Sequence, residues 1–397
     1  MSLDPLGSLF AALLVLLIGA LLNRKVALLA RYNIPDPITG GLLFAIIAAL
    51  LLAATGFRIE FTQTIKSTLL LMFFSGVGMC ADLRELKRGG KALVMFLAIL
   101  FPYILVQNGV GIAVAMALDQ HPIFGLVGGS ITLVGGHGTG AAYAERFAEV
   151  NNLQAVMELS MTVATMGLIA GGIIVGPVAQ YLIKRHKLRQ EGEVAAVDEA
   201  ALTEHEPAIG KIGVIGTLAG ILAAVTAGQW LAARFSGSTI TIPSFLWCMM
   251  LGVAIRNVLP LARIRFDDRA SDLVSSVCLS LFLVMTMMAL DLVQVLLSAG
   301  PFMVMLAAQI VFIILYTIFV CFRFMGGDYE AAVASAGMIG FNMGSTATAM
   351  AGMQTITARY GPAPQAYLIV PLAGAFFIDL MNAVVLTLML GLPFMGG

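Results

Sequence analysis

The chain has 397 residues, 60% hydrophobic and 11% charged, with 22 Lys+Arg against 22 Asp+Glu. An ordinary soluble domain is roughly a quarter charged, so this composition excludes a water-soluble globule and points to a polytopic membrane protein. No basic tail or aromatic-basic patch suggests nucleic acid, and Cys80, Cys248, Cys278 and Cys321 sit singly in apolar runs without CxxC spacing, against a disulfide framework or a zinc site.

In chain order, Leu6–Leu22 is the first apolar run, and its positive charges, Arg24 and Lys25, follow it. That is the reverse of a secretory signal and predicts a retained span with the N-terminus outside. Spans are then expected at Pro37–Phe57, Thr68–Ala81, Ala92–Leu118 and Ala155–Ile183, and again at Ile209–Ala233, Pro243–Leu259, Leu273–Leu297, Pro301–Phe324 and Ala366–Leu390. The polar stretch Lys184–Pro207, which carries His186 and His205, reads as a cytoplasmic linker over 184–208. Two further segments, 123–147 and 329–356, are long enough to cross but laced with Gly, Ser and Thr.

The two halves align at an offset of 206 to 209 positions. Met72–Leu83 falls on Leu281–Leu292, Pro35 lands near Pro243, and Gly138–Ala142 lands on Gly344–Thr348. Charge decides how the ambiguous segments run. If each returns to its own side, eighteen of the 22 basic residues lie inside, among them Arg24, Lys25 and Arg31, the Arg84–Lys91 cluster, the linker group, and Arg256, Arg263, Arg265 and Arg269. Only Arg58, Lys66, Arg146 and Arg234 then lie outside, whereas full crossings would give ten inside against twelve outside. The positive-inside rule favours re-entrant hairpins. Five spans per half, an odd number, then invert the second repeat and send the hairpins in from opposite faces. The expected fold is an all-α polytopic membrane protein: repeat 1–183 with a hairpin at 123–147, the linker, and inverted repeat 209–397 with a hairpin at 329–356. Broken elements meeting near the midplane are a mark of secondary transporters.

The chemistry concentrates at the hairpins. Gly135, Gly136, His137, Gly138, Thr139 and Gly140 hold too much glycine for a continuous helix. A break there exposes N–H groups and the positive end of a helix starting near Thr139, which suits a carboxylate. Ser130 and Thr132 add hydroxyls on the approach. The counterpart Gly340–Met350 supplies Asn342, Gly344, Ser345, Thr346 and Thr348, which can donate to a carboxylate or lend oxygens to a hard cation. In the last span Asp379 and Asn382 share one helical face. A carboxylate at that depth marks a functional site, with a sodium ion, a substrate ammonium group or a proton as its partner. Gln107 and Asn108 are a polar pair deep in the fourth span, facing a cavity or bonding between helices, and they join Asp379 and Asn382 as candidate Na⁺ ligands. His137, without a second ligand at metal spacing, reads as a pocket wall.

These residues resemble the bacterial sodium/glutamate symporter family. The resemblance rests on Ile34–Gly41 (IPDPITGG), Val106–Ile112 (VQNGVGI), Ile131–Ala144 (ITLVGGHGTGAAYA), Tyr360–Pro371 (YGPAPQAYLIVP) and Pro371–Val385 (PLAGAFFIDLMNAVV). It implies Na⁺-coupled import of L-glutamate across the bacterial inner membrane by an elevator-like displacement. It also implies ten spans in two inverted repeats, a homodimer set in membrane lipid, and periplasmic N- and C-termini. Relatives often carry a proline where this chain has Ala347. A carrier of citrate, malate or another small carboxylate, coupled to Na⁺ or H⁺, is the alternative within the class. An enzyme would need a nucleophile–base spacing and a channel a continuous lined pore, neither of which the sequence offers.

Overall fold

The computed structural model describes residues 2–26, 29, 34–57, 60–62, 64–150, 156–188, 210–235, 243–258, 268–290, 292–392 and 395. The expected linker lies outside them from residue 189 on, as do Arg31, Arg58, Arg263 and Arg265.

The first half runs α1 (Pro5–Lys25), α2 (Asp36–Thr55), α3 (Lys66–Met79) and α4 (Glu85–Ala117). A broken segment follows, with α5 (Pro122–Leu126), a π turn (Val127–Ile131) and α6 (Gly136–Val150), and then α7 (Val156–His186). The second half repeats the order with α8 (Lys211–Arg234), α9 (Ser244–Val258), α10 (Asp268–Met288) and α11 (Leu292–Tyr316), the last extended by a π turn over Thr317–Cys321. Next come α12 (Tyr329–Met343) and α13 (Thr346–Tyr360), which pack on each other as a helical hairpin. α14 (Pro364–Leu372) continues through a π turn over Ala373–Phe377 into α15 (Ile378–Leu390). Pro371 sits inside that last run, and a π turn follows where its missing N–H interrupts the ladder.

The chain is an all-α polytopic membrane protein. Among the described residues, seven helices have the length and apolar composition to cross a bilayer, and α3, Pro122–Ile131, α9 and α15 are apolar but shorter. α1 shows the solvent it is built for, with Phe10, Leu17 and Leu21 exposed along an all-apolar helix. One expected boundary is wrong: the span placed at Leu273–Leu297 ends at Met288. Its 21 residues already rise about 31 Å, the thickness of the hydrocarbon core. Ala289 and Leu290 then donate their N–H groups back to Thr286 and Met287 in a closing turn.

Two compact units divide the chain, and each takes pieces from both halves. Unit 1 holds residues 1–82, 141–162 and 211–300, and unit 2 holds 83–140, 163–210 and 301–397. The third helix of each half, α3 or α10, groups with the first two. Small residues bring the helices of unit 1 together, as tight packing in lipid requires. A methyl on Gly78 would overlap the Met249 carbonyl, and one on Gly252 the Ser75 carbonyl. At one end of unit 1 Arg256 bridges Asp82 (3.2 Å) and Asp268 (2.9 Å), and Asn257 donates to the Ala81 carbonyl. Elsewhere in the unit Lys66 pairs with Glu145 at 3.4 Å, and Ser2–Leu3 forms a two-residue parallel bridge with Glu60–Phe61.

Candidate functional site

Both breaks belong to unit 2. At the first, the Ser130 carbonyl accepts the N–H groups of Val134 (3.2 Å) and Gly135 (3.0 Å), which ends the π turn. Thr132 turns its hydroxyl back to the Val127 carbonyl at 2.7 Å. Gly136 then takes φ +62°, a conformation that glycine enters without steric cost, and α6 starts there. The helix therefore begins three residues before the expected Thr139, because Gly136 makes the change of direction by itself. His137 is buried and its Nε2 lies 3.0 Å from the Thr165 hydroxyl of α7. Gly138, Thr139 and Gly140 are buried behind it, with the Thr139 side chain filling the space where Gly135 lacks one.

At the second break Gly344 closes α12 with an N–H to the Gly340 carbonyl, and Ser345 caps α13 by accepting the Thr348 N–H at 3.2 Å. The Thr348 hydroxyl lies 3.2 Å from that of Ser345, and Thr346 donates to the Gly374 carbonyl at 3.0 Å. Asn342 spends its amide nitrogen on the Met338 carbonyl at 2.8 Å. Two glycines of α7 make room for this break. A methyl on Gly167 would come within 2.7 Å of the Met343 carbonyl, and one on Gly171 within 3.0 Å of the Met343 side chain.

The two breaks adjoin. A methyl built on Gly136 would stand 3.6 Å from the Gly344 carbonyl oxygen. Gly135, Gly136, Ser345, Thr346 and Ala347 keep accessible surface, while His137–Gly140 and Asn342–Gly344 are buried. Two 15-residue helices, α6 and α13, thus begin at one small accessible patch. Each helix start carries about half a positive charge and unsatisfied N–H donors, so the patch suits an anion with oxygens to spare.

The carboxamides gather beside the first break. Asn108 Oδ1 accepts the Ser130 N–H and Asn382 Nδ2 donates to the Ser130 carbonyl, each at 3.0 Å. Gly129 makes this possible, since a methyl there would sit 2.9 Å from Asn108 Oδ1. The Gln107 carbonyl accepts Gln309 Nε2 at 3.0 Å. Asp379 is half-buried one turn before Asn382 and makes no hydrogen bond or ion pair among the described residues. The structure thus joins Asn108, Ser130 and Asn382 directly and brings Gln107 in through its backbone. Sequence reasoning missed Gln309, Thr165 and the Gly167/Gly171 seat. A lone glutamine in the apolar run Pro301–Tyr316 was a readable signal for the first, whereas the seat has none in an unaligned sequence.

The profile of the sodium/glutamate symporter family matches residues 1–362. The sodium/glutamate symporter of Haemophilus influenzae is 42% identical over 380 residues, 94% of either chain. That of Escherichia coli K12 is 40% identical over 400 residues, covering 100% of this chain and 99% of its own. Among solved structures, a sodium proton antiporter from Methanocaldococcus jannaschii overlaps 98% of the chain at 15% identity and a TM-score of 0.41, too distant to inform the site. With full-length relatives at these identities, the chain belongs to the sodium/glutamate symporter family.

Proposed function

We propose that the protein imports L-glutamate together with Na⁺ across the bacterial inner membrane. The observation that carries this reading is the meeting of the two breaks at the starts of α6 and α13, where a methyl built on Gly136 would stand 3.6 Å from the Gly344 oxygen. One carboxylate of glutamate is held by the N–H groups around Gly136–Gly138. The other is held by the start of α13 with the Ser345 and Thr346 hydroxyls. Asp379 and Asn382, with Asn108 and Gln107, serve Na⁺. Glutamate carries a net charge of −1, so its entry against a negative interior is uphill by about 2.3 kcal/mol per 100 mV. Two or more co-transported Na⁺ make the cycle net positive inward and reverse that penalty.

The two halves act as inverted repeats, each with a re-entrant hairpin. For the second, the support is its closed base: Tyr329 donates its hydroxyl to the Gly361 carbonyl, and Glu330 accepts the Ala366 N–H at 2.8 Å, tying the ends of the α12–α13 pair together. For the first, the Lys66–Glu145 pair puts the far end of α6 beside the start of α3, which the charge count places outside. Unit 2 carries the substrate in an elevator-like displacement and unit 1, including α3 and α10, is the dimerising scaffold, with both termini periplasmic.

The test is uptake of labelled L-glutamate by purified protein in liposomes under an inward Na⁺ gradient, with choline as the control. Accumulation that ignores Na⁺ refutes the coupling, and absence of glutamate uptake refutes the substrate. Asp379→Asn is expected to weaken the Na⁺ dependence by about tenfold, the scale of losing one support of a metal site. An unchanged Na⁺ response would make Asp379 structural.

A further inference from the structure

The carboxamide group beside the first break carries more than its hydrogen bonds explain. Gln107, Asn108, Ser130, Gln309 and Asn382 are all buried, at 0–1% exposure. Asn108 and Asn382 each spend one side-chain atom on the Ser130 backbone and Gln309 spends its Nε2 on the Gln107 carbonyl, whereas the Gln107 side chain makes no hydrogen bond. Four side-chain oxygens are left without a partner, Gln107 Oε1, Ser130 Oγ, Gln309 Oε1 and Asn382 Oδ1, as are the amide nitrogens of Gln107 and Asn108. Side chains that served only as glue between helices would pair with one another. Those that bond here bond the backbone instead, and every oxygen of the group except that of Asn108 stays free, in a region where an unsatisfied polar atom is costly.

We infer that this cluster is a cation site for desolvated Na⁺ built from neutral oxygens, and that Gln309 and Ser130 belong to its ligand set. The inference rests on the Na⁺-coupled reading above and deepens it, for it adds two ligands and places the ion on the π turn. A hard monovalent cation wants several oxygens and no soft donor, which is what four uncommitted carboxamide and hydroxyl oxygens supply. The half-buried carboxylate of Asp379, one turn from Asn382, offsets the ion's charge from outside this neutral set. The placement also ties the ion to the substrate patch. The Ser130 carbonyl that accepts Asn382 also accepts Val134 and Gly135, the residues leading into the Gly136 turn. An ion that fixes Ser130 therefore fixes the strand of backbone presenting the first helix start.

Na⁺-induced thermal stabilisation of the full-length protein in detergent, titrated with NaCl against a choline background, reads the site without transport. Uptake in liposomes reads it during transport. Gln309→Met keeps the side-chain volume and removes both the oxygen and the Nε2 donor to the Gln107 carbonyl, and should raise half-saturating Na⁺ about tenfold in both assays, leaving the glutamate KM at saturating Na⁺ in place. Gln309→Glu, which restores an oxygen, should recover most of the loss, a rescue that a packing role would not produce. A wild-type Na⁺ response in Gln309→Met overturns the inference. If that variant does not fold, Ser130→Ala decides instead: a rise of about threefold supports the site and an unchanged value overturns it. Na⁺-driven glutamate uptake with unaltered Na⁺ dependence in the variants sinks this site and spares the transport reading. Na⁺ stabilisation without glutamate uptake sinks the substrate and spares the site.

Discussion

The two breaks of unit 2 meet at one patch but are built by different means. The second is held mainly by its own caps, with one bond outward from Thr346 to the Gly374 carbonyl. Asp328 caps α12 by accepting the Ala331 N–H at 2.8 Å, Ser345 caps α13, and Tyr329 locks the base. The first is held by its neighbours. Asn108 of α4 and Asn382 of α15 grip the N–H and carbonyl of Ser130, and Thr165 of α7 meets His137. A self-capped hairpin is a stable wall, whereas a break held by side chains from other spans takes its geometry from whatever those side chains bind. Under the proposed function, this difference gives ion sensing to the first break and rigid substrate contact to the second.

The sharpest way to break this comparison is at Gly136, where the first break depends on one backbone conformation. A β-branched residue at φ +62° is strained by about 1–2 kcal/mol, and its branch would enter the space short of the Gly344 oxygen. Gly136→Val is expected to cut glutamate uptake by roughly 100-fold, the scale on which a misplacement of about 1 Å disables a positioned site. Gly136→Asn, which tolerates the left-handed region, should retain substantially more. Equal rates for both variants, normalised to reconstituted protein, would show that the conformation at Gly136 does not set the site.

Much of this was legible in the sequence because the signals are compositional. Long apolar runs announced the spans, and Gly135–Gly140 and Gly344–Thr348 announced the breaks because glycine and hydroxyl residues have little else to do at such depth. The partition of helices was not legible. α2 and α3 are apolar on every side, so periodicity does not say which face meets protein, and their partners are chosen by single small residues such as Gly78 against Met249. Gln309 escaped for a related reason. Its role depends on a hydrogen bond to residue 107, a separation no local pattern carries.

A smaller effect separates the breaks at Ser345. Its hydroxyl caps α13, so Ser345→Ala should lower stability by about 1 kcal/mol, whereas Ser345→Gly should lower it by a few tenths. Both variants lose a hydroxyl beside the substrate, so both should raise the glutamate KM and leave the Na⁺ dependence of stabilisation alone. A shift in Na⁺ half-saturation of the size expected for Gln309→Met would show that the second break senses the ion too, and would dissolve the division of roles.

The smallest effect is expected at the base of the second hairpin. Tyr329 is 6% exposed and gives its hydroxyl to the Gly361 carbonyl just past the end of α13. Gly361 holds φ +94°, so the carbonyl is aimed by a residue that only glycine fills comfortably. Tyr329→Phe keeps the ring and removes the bond. Hydrogen bonds between membrane helices average about 0.6 kcal/mol, so the apparent Tm should fall by little. Transport should be preserved, because the caps at Asp328 and Ser345 remain and the substrate patch lies at the other end of two 15-residue helices, about 22 Å away. Loss of uptake comparable to Gly136→Val would mean that this end opens during the cycle, and that the second hairpin is a gate rather than a wall.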